Sequence, residues 1–92
     1  MCTGIVETAS VSGSGKGPQG WFKLEKVNVS YDHPFHAPLE HALNIDFVNE
    51  AEGLSSRVAV ELTPESARAL IRAIDEALNR GSSEEEKLTH LA

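Results

Sequence analysis

Three of the four histidines in this chain, His33, His36 and His41, fall within residues 32–41. Asp32 and Glu40 lie in the same stretch, with Pro34 and Pro38 between them. Imidazole nitrogens, carboxylates and thiolates are the donors that zinc and the later first-row metals prefer. Two or three histidines with one carboxylate leave a coordination position for water. The metal can then activate that water for hydrolytic or Lewis-acid chemistry. Prolines fix φ, so rings with two and four intervening residues between them could be held at set angles. The stretch lacks both the paired cysteines of a structural zinc site and the helical His-Glu-x-x-His pattern. Ligation needs neutral imidazole, so such binding would weaken as histidine protonates near neutrality.

The same residues have plainer structural roles. A histidine of apolar parity, as His41 is, commonly hydrogen-bonds to backbone inside a core. His33 and His36 can be exposed loop residues. Asp32 opens turns well. Tyr31 can be core with its hydroxyl at the rim. Cys2, the single cysteine, is a further ligand candidate or a small core residue. Were Met1 removed, its thiol could act as a nucleophile with its own amine as base. The glycine-rich run Gly13, Ser14, Gly15, Lys16, Gly17 invites a phosphate-loop reading. It lacks that motif's spacing and runs into Pro18, so a flexible hairpin loop with Lys16 at its tip fits better.

What positions these residues must be a small scaffold. Ninety-two residues make one domain whose own core is marginal, so oligomerisation, with a dimer as first guess, is expected. A net charge of −6 and no basic run disfavour nucleic acid. No apolar run approaches the ~20 residues of a membrane span, and no secretory leader is visible. A lone cysteine excludes an internal disulfide and fits a reducing cytoplasm.

Residues 2–11, rich in small and β-branched types, predict a first strand, and residues 12–20 a loop. Residues 21–31 predict a second strand. Phe22 and Leu24 have one parity and Val27, Val29 and Tyr31 the other, so a bulge near Glu25 and Lys26 would unite them on one face. Otherwise the strand is apolar on both faces, and Trp21, Phe22 and Leu24 offer surface to a second subunit. Residues 41–48 predict a third strand with Leu43, Ile45 and Phe47 inward. After a polar turn at 49–55, residues 56–62 predict a fourth, with Val58, Val60 and Leu62 inward and Glu61 outward. Pairing Ile45 with Val58 would bring Asp46 opposite Arg57. Thr63 caps a helix that Pro64 opens. Ala67, Leu70, Ile71, Ile74, Ala77 and Leu78 form its apolar stripe, and Gly81 is a natural stop.

The expected fold is α+β: a four-stranded antiparallel meander, β-β-β-β-α, with one amphipathic helix on one face. The domain would be residues 1–81, with an acidic, flexible tail at 82–92. In that meander Cys2 falls opposite a residue near Ser30 and His41 near Tyr31. Cys2, Asp32, His33, His36, His41 and the helix N-terminus would then share one end of the sheet.

Met1, Cys2 and Thr3, the glycine run leading to Gly20, Trp21 and Phe22, and the segment 32–41 carry a resemblance. So do residues 43–47 and residues 57–63 running into the helix. Together they resemble a group of small actinobacterial proteins catalogued as a domain of unknown function, over roughly residues 1–80. The resemblance implies a bacterial cytoplasmic protein and supplies no catalytic residues. Function therefore rests on the histidine stretch. The leading expectation is a metal-binding protein with zinc as the first candidate and His33, His36, His41, Cys2 and Asp32 as ligands. The alternative is a metal-free homo-oligomeric interaction or small-ligand-binding module.

Overall fold

A computed structural model describes the backbone of residues 3–91 and the side chains of residues 3–85. Four strands lie in the order β1-β2-β3-β4, each pair antiparallel: β1 Ile5–Gly17, β2 Gly20–Asp32, β3 Ala42–Val48 and β4 Arg57–Leu62. Helix α1, Pro64–Leu91, follows β4 directly. The β-β-β-β-α meander expected from the sequence is the architecture found.

Register assigns the faces. Across the sheet Ile5, Tyr31, Leu43 and Leu62 pair in one row, and Glu7, Val29, Ile45 and Val60 in another. These rows face α1 and form the apolar side. The intervening rows carry Ser30, Asn44 and Glu61, then Asn28, Asp46 and Ala59, and make the opposite face polar. Period-two alternation in β3 and β4 imposes this sorting. The sequence-based pairing of Ile45 with Val58 is corrected by two residues, to Ile45 with Val60. A slip of two preserves which side chains face the helix. Arg57 still reaches Asp46, Nε to Oδ1 at 2.7 Å, along the diagonal instead of straight across.

Two expectations about chain ends of elements need correction. The glycine run is not a loop: β1 extends through it to Gly17, and the turn is only Pro18 and Gln19. The glycines are there for close approach. A Cβ on Gly15 would lie 2.9 Å from Leu24 Cδ2 and 3.4 Å from Val58 Cγ2. One on Gly17 would meet the Ser55 carbonyl at 3.1 Å and the Arg57 carbonyl at 3.3 Å. The long hairpin thus curls toward β4, and its register shifts between Ser10 and Gly13, opposite Leu24 to Lys26. The irregularity lies at the expected level but its extra residue is on β1, so the expected bulge in β2 is corrected: β2 runs through regularly and Phe22 and Leu24 keep the parity opposite to Val27, Val29 and Tyr31. Phe22 and Leu24 become half-buried, while Trp21 stays 72% exposed.

The helix also passes through Gly81 to Leu91. Gly81 adopts no positive φ, and glycine inside a helix costs only about 1 kcal/mol relative to alanine. Good helix formers follow it in the run from Glu84 to Leu88, and they carry the helix on. At the other end the expected cap is made: the Ser66 amide donates to Thr63 Oγ1 at 3.1 Å. Among the described residues no helix is long and apolar enough to cross a membrane.

Candidate metal centre

The loop between β2 and β3 carries the histidines, and four different devices shape it. Pro34 and Pro38 remove two backbone donors and prevent a helix. Asp32, the last residue of β2, accepts the His33 amide on Oδ1 at 2.7 Å, which turns the chain out of the strand and orients the carboxylate. Leu39 donates to the Ala37 carbonyl at 2.8 Å and tightens the return.

The fourth device comes from another strand. Glu61 of β4 lies in the polar row beside Asn44. Its carboxylate accepts three consecutive loop amides: Phe35 at 2.5 Å, His36 at 3.1 Å and Ala37 at 2.8 Å. Backbone donors aimed at one carboxylate stabilise its charged form. The Ala37 amide, first among them, holds the Glu61 carboxyl below the usual carboxylate range, against an opposing push from partial burial. The sequence reading assigned Glu61 only an outward face. Its position did hold a signal, because connectivity already set the end of β4 beside a loop whose amides had no ladder to join.

This frame brings Asp32, His33 and His41 together. One donor atom from each lies within 4.8 Å of the others. Asp32 and His41 are half-buried and His33 is exposed. The His33 Nδ1 sits 2.7 Å from the Glu40 carbonyl oxygen. A carbonyl only accepts, so Nδ1 carries the proton and Nε2 the lone pair of the neutral ring. An imidazole oriented through its far nitrogen onto a backbone carbonyl is the usual support for a histidine ligand. His41 stacks on His33 with centroids 4.8 Å apart and planes 24° off parallel, and on Tyr31 at 5.7 Å and 14°. Tyr31 and the Glu40 carbonyl thus brace the two rings that the sequence singled out.

Zinc bonds nitrogen and oxygen donors at about 2.0–2.2 Å in a tetrahedral arrangement, so ligand atoms on one ion lie about 3.3–3.6 Å apart. With donors up to 4.8 Å apart, the widest pair must close by about an ångström, a movement that side-chain torsions in an exposed loop can supply. Such a set would leave one tetrahedral position for water. His36 lies outside this group of three. It enters the loop's structure through its backbone amide, and its ring is exposed. Cys2 lies outside the described residues. The described part of β1 already places Val6, and not a residue nearer the N-terminus, opposite Ser30. A cleft of about 530 Å³ on the polar face adjoins Asp32 and His33 and extends past Asn44 to Asp46 and Arg57.

No curated protein and no solved structure matches the chain. A family model does match over residues 1–89, and the chain belongs to that family, described as a family of unknown function (DUF6295).

Proposed function

We propose that the chain binds one divalent transition metal ion, zinc in the first place, through Asp32, His33 and His41. The observation carrying this reading is the convergence of the three donor atoms within 4.8 Å on rings braced for ligation. His36 and Cys2 are candidates for a further ligand. The metal would supply Lewis acidity to a water in its remaining position, and the polar cleft beside Asp32 would admit a small polar substrate. A cytoplasmic site of action fits a chain with one cysteine.

Elemental analysis of untagged protein, followed by zinc titration against a chromophoric chelator, tests the reading. One equivalent of metal per chain is expected. His33→Ala and His41→Ala should each weaken binding by more than the about 10–100-fold that loss of an outer-shell partner costs. Wild-type protein that takes up no stoichiometric zinc, or the two variants binding as well as wild type, would overturn it.

A further inference from the structure

The face of the sheet that carries α1 is unfinished. Among the described residues only Ala42, Val48 and Asn49 are buried. The apolar stripe of α1 stands open, with Ile71 57% and Ile74 50% exposed, and Leu70 and Leu78 exposed beside them. Between that stripe and Val29, Tyr31, Leu43 and Ile45 of the sheet lies an apolar cleft of about 460 Å³. A stripe of this kind forms a stable helix only when something covers it.

Two quantities measure what is missing. The chain exposes 7173 Å², whereas a folded monomer of 9.9 kDa exposes about 5,200 Å². Its radius of gyration is 16.2 Å against about 12 Å for a folded chain of this length. Part of that excess of about 2,000 Å² per chain belongs to the polar C-terminal length of α1, and about half of it would still give an interface of about 2,000 Å² in a pair, enough for a stable dimer.

The charges beside the stripe indicate what covers it. Arg68 lines the cleft, and Asp75 follows seven residues later, so the two lie on the same flank of α1. In an antiparallel pair of identical helices, like flanks face each other. Arg68 of each chain then meets Asp75 of the other, with the pairing centred between Ile71 and Arg72, in the middle of the stripe. A parallel pairing would instead set each flank against the opposite flank of the partner and leave Arg68 and Asp75 without each other.

We infer that a second copy of this chain covers the stripe and cleft, its α1 antiparallel to the first, in a two-fold dimer whose flank carries two reciprocal Arg68–Asp75 pairs. The interface is isologous and closes on itself, so assembly stops at two. The covered cleft adjoins the metal loop through Tyr31, which stacks on His41, but the inference does not rest on the metal reading.

Sedimentation equilibrium of the full chain across micromolar concentrations tests this. Wild type is expected at twice the chain mass. Arg68→Asp and Asp75→Arg should each weaken the dimer on the order of tenfold, and the double swap should restore it. Ile74→Glu should give a monomer, with circular dichroism reporting whether the helix persists. The charge swaps decide the matter even where Ile74→Glu fails to fold. A wild-type monomer at 10 µM or about that concentration, a larger assembly, or a double swap no stronger than either single change would overturn the inference, and so would a dimer indifferent to all four variants.

Discussion

The loop after β2 and the stripe of α1 are closed in opposite ways. The loop buries little apolar surface, with Phe35 99% exposed, yet five of its amides are engaged: three end on Glu61, one on Asp32 and one on a neighbouring carbonyl. The stripe has every backbone group satisfied within the helix and leaves its side chains half in water. Directional bonds can be completed inside one small chain, because each needs a single partner at about 3 Å. Hydrophobic burial needs area, and a chain of 92 residues runs out of it. Directional closure therefore needs no second chain, whereas the open apolar stripe of α1 is the part for which a second copy is proposed.

The sharpest way to break that contrast is a truncation in the stripe. In a lone chain, Ile71→Ala at a half-exposed site should cost under about 1 kcal/mol, whereas removal of a covered isoleucine costs about 2–5 kcal/mol. The larger loss is expected, together with a wild-type unfolding midpoint that rises with protein concentration in urea melts. A small loss independent of concentration would place the stripe in water after all.

Next in size is Glu61→Gln, which keeps the shape and removes the charge that the loop amides face. Hydrogen exchange at Phe35, His36 and Ala37 is expected to quicken, and zinc affinity to fall about tenfold, as for an outer-shell support. Acid should do the same to the wild type. The folded Glu61 carboxyl titrates below its unfolded value, ordinarily about 4.3, so its stabilisation is complete above that pH. It fades as pH falls through the lower, folded value, and the Gln variant should show no such step in exchange followed against pH.

The smallest effect belongs to Asp46→Asn. Its pair with Arg57 is partly exposed, with side chains at 27% and 49%, and such pairs contribute about 0.2–1 kcal/mol. A change in the urea midpoint within that range is expected. A larger one would assign the polar face a structural weight like that of the loop.

Much of the scaffold was legible because its signals are local. Alternation in β3 and β4 named their inward residues, and Thr63 with Pro64 named the start of α1. Register was legible only to its parity, since the turn residues between β3 and β4 include a short 3-10 segment, Glu50–Glu52, that moves the pairing by two. The glycines of β1 misled because glycine serves both turns and close approach, and only the neighbour across the gap tells which. In the candidate site, Asp32, His33 and His41 followed from connectivity, whereas His36 proved to be tied through its backbone.

By itself the sequence determined the order of elements, the faces of β3 and β4, and the ligand-capable residues at one end, since each follows from periodicity, capping or short connections along the chain. Tertiary structure alone decided that Glu61 gathers the loop amides, that Glu40 orients His33, and that the stripe of α1 lacks a cover. Those contacts join residues up to 26 positions apart, and no local preference encodes which donor will meet which acceptor across such a gap.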